Sequence, residues 1–304
     1  MTRVALVGLG RWGTNLLRAL NDLCDIVYCC NKSDYSAHSL INQRYSHIKC
    51  TVDYQEILTD SSVDAVIIAT PVDTHGTLAE QALNSGKHVF VEKPLATSSE
   101  EAASLVDIAN NRGLTLFIGH LYLFHPVFGK IKDITMADPV CHVRMHWAKF
   151  GTFKENILWN LVSHDVSLAL SLFQSNLCEA HIVSEQPFLT AQDMVTVHLD
   201  FGGGRECIID VNRCALTSNK TAHILTESGT AYLWEGQSLY EVKGDNPPTE
   251  IYSNNQEPLI IELRSFFQLI QDETKTDELG QHALEVVRVL ESLQKHRSIL
   301  LTES

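Results

Sequence analysis

The chain has 304 residues, more than one hydrophobic core usually serves, so two domains are expected. Hydrophobic residues make up 44% and charged residues 20%, a globular balance that excludes a disordered chain. The 23 basic and 37 acidic side chains leave a formal charge of -14, which offers no footprint for nucleic acid or an anionic membrane.

The opening stretch MTRVALVGLG is apolar over too short a run for a signal peptide, and glycines interrupt it, so it reads as a first buried strand. No apolar stretch approaches the ~20 residues a membrane helix needs. The eight cysteines show no CxxC pair and no regular spacing, and read as reduced thiols of a cytoplasmic protein.

Residues 3–119 alternate short apolar runs with amphipathic stretches. Strands are expected at Arg3–Val7, Ile26–Cys30, Val63–Ala69, His88–Glu92 and Leu114–Gly119. Helices are expected at Thr14–Leu23, Tyr35–Tyr45, Thr77–Ser85 and Ser98–Arg112, the last opening on a capping-box spacing. Buried strands alternating with helices imply a doubly wound parallel sheet, here a Rossmann domain over residues 1–119. Beyond it the rhythm changes. A helix at Pro126–Asp133, a strand at His142–Trp147 and an apolar helix at Leu158–Phe173 come first. Strands then dominate, at Ala180–Val183, Met194–Phe201, Glu206–Val211, Ala222–Thr226, Thr230–Trp234 and Leu239–Val242. Short polar turns between them point to a mostly antiparallel sheet, so 120–304 reads as an α+β domain. Asp245–Pro258 is expected to be a loop, and helices at Leu259–Asp272 and Gln281–His296 close the chain.

Gly8-Leu9-Gly10-Arg11-Trp12-Gly13 is a G-x-G-x-x-G between a strand and a helix, the context in which that spacing is informative. Gly8 allows the tight turn, Gly10 lets backbone approach a pyrophosphate, and Gly13 lets helix and strand pack closely. Arg11 and Trp12 lie in the same loop. At the end of the second strand, NAD-binding domains carry an acid for the ribose hydroxyl. This chain has Asn31-Lys32-Ser33, which favours NADP over NAD. His142 and His146 have a zinc-like spacing, but on a strand they stand too far apart for one ion, so no metal site is expected. Gly202-Gly203-Gly204 lies between two strands and reads as a hairpin turn.

Two further segments carry a family signal: Ala69-Thr70-Pro71-Val72-Asp73-Thr74-His75, and His88-Val89-Phe90-Val91-Glu92-Lys93-Pro94. With the glycine loop, Gly119-His120 and His164-Asp165 in that order, the chain resembles the Gfo/Idh/MocA oxidoreductases over nearly its whole length. The resemblance implies a large open sheet in the second domain, often used for oligomer contact, here in a homodimer or homotetramer. It also implies a sugar, cyclitol or sugar-nucleotide substrate and hydride transfer to or from a nicotinamide. Thr70, Pro71, His75, Glu92 and Lys93 would line the cofactor, across a Lys93–Pro94 bond expected to be cis. Lys93 would polarise the reacting oxygen, and His164 would exchange its proton. Substrate would touch Lys93, His120, Asn160 and His164. The family's usual aspartate four residues before the histidine is Asn160 here, which can orient an imidazole but carries no charge. That departure keeps alternatives open: a non-catalytic nucleotide-binding regulator or scaffold, or a reductase of an imine or non-sugar carbonyl.

Overall fold

The computed structural model describes residues 1–32, 41, 44–272 and 278–302. By contact the chain divides into two compact units, Met1–His120 with Leu259–Val287, and Leu121–Pro258 with Arg288–Ser304. The expected second domain, 120–304, differs from this at His120, which falls in the first unit, and in one segment. Leu259–Val287 clusters with the first unit, where the Phe266 ring packs at 5.7 Å from both Phe90 and Phe117 of the parallel sheet.

In the first unit β1 (Arg3–Val7), β2 (Asp25–Cys30), β3 (Lys49–Thr51), β4 (Ala65–Ile68), β5 (His88–Glu92) and β6 (Leu116–Gly119) form one sheet in the order β3-β2-β1-β4-β5-β6. Every neighbouring pair is parallel. Strand β4 is apolar throughout and completely buried, and β1 is so after Arg3, as a sheet covered on both faces requires. Helices α1 (Arg11–Leu20), α2 (Tyr54–Thr59), α3 (His75–Asn84) and α4 (Ser99–Arg112) accompany it. The Ser98 hydroxyl accepts from the Glu101 N–H at 3.2 Å, so the cap read from the sequence closes α4. Strand β3 and helix α2 were not foreseen. The strand is three residues of Lys, Cys and Thr, too short for an alternation to show. The helix did leave a sign: Asp53 caps it through the Gln55 N–H, and Glu56 follows at capping-box spacing. The helix expected at Tyr35–Tyr45 lies largely outside the described residues.

The second unit is built on β7 (Val140–Phe150), β8 (Glu179–Gln186), β9 (Met194–Asp200), β10 (Glu206–Asn212), β11 (Cys214–Thr226), β12 (Ala231–Glu235), β13 (Ser238–Val242) and β14 (Thr249–Ser253). Their order is β14-β13-β12-β11-β7-β10-β9-β8. Only the β7–β10 pair is parallel. The large, mostly antiparallel sheet is therefore present, with two corrections. Asp245–Pro258 is not all loop, since Thr249–Ser253 forms an edge strand on β13, and the nearby prolines are tolerated at an edge. Strand β11 begins eight residues earlier than expected, because pairing with β7 holds a polar segment that reads as a turn. Helix α5 (Pro126–Ala137) starts from a His125 cap. The expected helix from Leu158 opens as a π-turn over Leu158–Val162 and becomes α6 (Ser163–Leu172).

Strands β9 and β10 alternate buried and half-buried residues. The less buried face is mainly polar: His142 and His198 contact Glu206 at 3.2 and 2.7 Å, and Arg144 pairs with Asp210 at 2.8 Å. Helices α7 (Pro258–Gln271) and α8 (Glu278–Thr302) complete the chain. Among the described residues no helix is long and apolar enough to cross a membrane.

Candidate functional site

In the first unit the strand order reverses between β1 and β4, and open α/β sheets bind ligands outside the carboxyl ends of strands at such a point. The glycine loop stands there. Gly8 adopts φ +95°, donates its N–H to Cys30 O at 2.9 Å, and a Cβ on it would lie 2.5 Å from Ala69 O. A Cβ on Gly13 would lie 1.9 Å from Gly8 O, which is the close helix–strand packing foreseen for it. Gly10 is exposed, and a Cβ there would meet nothing within 4 Å. It is the N-cap of α1, no side chain caps that helix end, and no acid occupies its first turn. Open N–H groups, a positive dipole end and clear space beside Gly10 fit a dinucleotide pyrophosphate.

The other motif residues gather round the same strand ends. Asn31 Oδ1 accepts from the Leu9 N–H at 3.4 Å, Lys32 is exposed, and Ser33 lies outside the described residues. The Thr70 and Thr74 hydroxyls are 2.7 Å apart, and Pro71 is exposed. His75, expected at the cofactor, is buried with Nδ1 2.8 Å from Pro94 O and Nε2 2.9 Å from Thr70 O. Both ring nitrogens are thus taken up by the protein, and the histidine ties one motif to the other. The Lys93–Pro94 bond is cis, as expected. Glu92 accepts from the Trp12 indole N–H and from the Lys93 backbone N–H. Burial pushes the Glu92 carboxyl up to about 7, against the pull of Trp12 and Lys93. His120 is buried and edge-on to His282 at 5.9 Å. Burial first, then the neighbouring His282 and Lys93, hold His120 well below the usual histidine range, so it is neutral.

In the second unit His164 sits at the start of α6, with Tyr122 and Trp147 at ring distances of 5.2 and 5.5 Å. The α-helical i, i+4 relation expected between Asn160 and His164 is altered, because Asn160 lies inside the π-turn, a bulge common at functional sites. The Asn160 amide donates to Glu155 Oε2. Next to His164, Asp165 is fully buried and ion-paired with Lys220 of β11. The Lys220 ammonium also lies 3.9 Å from the Trp147 ring and 4.6 Å from the Tyr122 ring. Burial raises the Asp165 carboxyl and lowers the Lys220 ammonium, each opposed by the other's charge. Sequence reasoning missed Lys220, which stands in a polar run resembling a turn. It also missed Glu262 on α7, visible only as a lone charge in the apolar run Leu259–Leu263.

A parallel sheet of this order, with an uncapped helix behind a glycine loop, defines a dinucleotide-binding domain. Residues 2–120 match the family model GFO_IDH_MocA, described as an oxidoreductase family with an NAD-binding Rossmann fold. Through this stretch the chain is similar to the Gfo/Idh/MocA oxidoreductases. It is 30% identical over 146 residues to UDP-N-acetylglucosamine 3-dehydrogenase of Acidithiobacillus ferrooxidans, a match covering 47% of this chain and 47% of that protein. The aligned segment thus spans about half of that relative's length. A solved structure of the same dehydrogenase superposes with TM-score 0.87 at 19% identity, covering 96% of each chain, which establishes the fold. The 4-carboxy-2-hydroxymuconate-6-semialdehyde dehydrogenase of a Sphingobium species is 25% identical across 96% of this chain and 98% of its own.

Proposed function

We propose that the protein is a nicotinamide-dependent oxidoreductase acting on a sugar, cyclitol or sugar-nucleotide alcohol/ketone pair. The observation that carries the reading is Lys93, set at the carboxyl end of β5 in the unit that holds the glycine loop, with its backbone N–H bonded to Glu92. A bound nicotinamide supplies the hydride acceptor or donor. Lys93 hydrogen-bonds the reacting oxygen and stabilises the charge that grows on it. His164 takes or gives the hydroxyl proton, with Asn160 as an uncharged neighbour in its helix and Tyr122 and Trp147 fixing the ring from its sides. His120 contributes to the substrate side as a neutral imidazole.

The sugar reading follows the UDP-N-acetylglucosamine 3-dehydrogenase, and the semialdehyde dehydrogenase keeps a non-sugar carbonyl as a second substrate class. Asn31 and exposed Lys32, in place of an acid, favour NADP over NAD. The protein works in the cytoplasm as a homo-oligomer, with no nucleic-acid or membrane partner. A second reading, a nucleotide-binding regulator without turnover, is favoured only by Asn160. Calorimetric titration with NADP and NAD, followed by a panel of sugars and sugar nucleotides, tests the proposal. Tighter NADP binding and turnover support it, a tenfold preference for NAD refutes the cofactor assignment, and tight binding with no turnover favours the regulator.

A further inference from the structure

The loop between β7 and the π-turn, residues 151–157, brings a carboxylate to Asn160. It leaves β7 through Gly151 at φ +117° and Thr152 at φ +62°. Thr152 is the only non-glycine residue with positive φ among the described residues, and a β-branched residue keeps that conformation only where its surroundings hold it. Arg213 does so. Its buried guanidinium pairs with Asp193 at 2.9 Å and donates to Thr152 O at 2.9 Å and Glu155 O at 2.6 Å. The Glu155 N–H closes the turn on Thr152 O at 3.3 Å. Past the turn, Asn156 Oδ1 accepts from the Leu158 and Trp159 N–H groups at 2.9 and 3.4 Å, and the Asn160 N–H donates to Asn156 O at 2.9 Å. The Trp159 indole donates to Gln294 Oε1 at 2.7 Å. Backbone is thereby fixed on both sides of one contact, in which the Asn160 side-chain amide donates to Glu155 Oε2.

That contact settles which way the Asn160 amide faces. An ionised carboxylate has no proton to give, so the group of Asn160 that meets it is the NH2. Oδ1 is then turned to the other side, and Asn160 enters the site as an acceptor, for the hydroxyl of a bound alcohol or a ring N–H of His164. The bond is charge-assisted, and it sets a negative charge beside a residue that carries none of its own. We propose that Glu155 is a positioning residue of the His164 site, its carboxylate holding the Asn160 amide so that Oδ1 is presented as the acceptor, on a loop that Arg213 keeps in place. Its bearing on turnover rests on the roles proposed above for Asn160 and His164; the pairing itself does not.

Nuclear magnetic resonance of the ligand-free protein tests the pairing. The Asn160 side-chain amide, assigned by its absence in Asn160→Asp, should show a slowly exchanging proton in the wild-type protein that exchanges fast in Glu155→Ala. An Asn160 amide that Glu155→Ala leaves unchanged overturns the proposal. Turnover tests the positioning. Glu155→Ala should lower kcat about tenfold, the worth of one charge-assisted hydrogen bond, with dinucleotide affinity within about threefold of wild type. Asn160→Asp sets two carboxylates together and should lose at least as much. Glu155→Gln combined with Asn160→Asp moves the carboxylate to the other end of the same hydrogen bond and should recover about tenfold over Asn160→Asp alone. Loop packing alone does not predict that recovery, and both variants keep side-chain size, so the test stands even where Glu155→Ala fails to fold. An Asn160→Asp protein as active as wild type, or a double variant no better than Asn160→Asp, overturns the role. A wild-type protein that turns over no substrate while its Asn160 amide stays protected contradicts the functional reading and leaves the pairing standing.

Discussion

Replacing Gly10 and Gly13 by alanine separates folding from ligand binding within one loop. At Gly13 the added methyl would lie 1.9 Å from Gly8 O and 2.9 Å from Gly8 C, both backbone atoms that cannot swing aside. Helix α1 would have to lift about 1.5 Å or more from the end of β1 to restore ordinary contact. Overpacking of this kind costs ~1–3 kcal/mol or more, which lowers Tm by several degrees in a domain of this size. At Gly10 the methyl meets nothing within 4 Å and φ is -69°, so stability should change by no more than about 0.5 kcal/mol. The same methyl stands where a pyrophosphate would approach α1. Loss of one charge-assisted hydrogen bond is worth ~1.5–3 kcal/mol, or ~10- to 100-fold in affinity. Calorimetric titration with NADP and thermal unfolding of both variants read the two effects separately. A Gly10→Ala protein that binds the dinucleotide as tightly as wild type would show that the pyrophosphate does not lie on this loop.

Lys93→Ala should lower turnover ~10²- to 10³-fold by removing a donor to the reacting oxygen, and His164→Ala ~10²- to 10⁴-fold; unchanged rates in both would refute the assignments. Asn160→Asp would set a second carboxylate against Glu155, so it should loosen the π-turn rather than improve the site, seen as a lower Tm that Glu155→Gln restores. Arg213 and Asp193 form a buried ion pair at 2.9 Å, and Arg213 also donates to the carbonyls of Thr152, Glu155 and Gln192. Arg213→Met should therefore cost ~3–5 kcal/mol in denaturant unfolding. Burial raises the Asp193 carboxyl, but the Thr190 hydroxyl and three backbone N–H groups outweigh it and hold the group below the usual carboxylate range. Its contribution is present above pH ~4 and is lost as the pH falls through the lowered value, so wild-type stability should drop on acidification more than that of Asp193→Asn. Self-association through the open sheet face would join charged pairs such as Arg144–Asp210, so light scattering should show an oligomer that weakens with salt.

The Rossmann strands other than β3 were readable because each is a short, largely apolar run bounded by turn or cap residues, and the tight packing expected of Gly8 and Gly13 agrees with where a Cβ would collide. The roles of His75 and Glu92 were not readable. Their partners, Pro94 O and the Trp12 indole, lie 19 and 80 positions away in the chain. Strand β14 and the early part of β11 were missed because edge and irregular pairing tolerate proline and polar residues that otherwise mark loops. The polar character of the less buried sheet face was not readable either: the Ile208-Ile209 doublet says nothing of the histidines and carboxylates that neighbouring strands place beside it. Glu262 was hidden because helical periodicity locates a buried face without naming the strand beneath it.

Hydride transfer itself is the most direct test. The protein is mixed with NADP or NAD and a panel of sugars, sugar nucleotides and non-sugar aldehydes, and nicotinamide absorbance is followed beside Lys93→Ala and His164→Ala. The account predicts a substrate-dependent change in absorbance that both variants lose by at least ~10²-fold while still binding dinucleotide. Dinucleotide binding with no absorbance change for any member of the panel would contradict it.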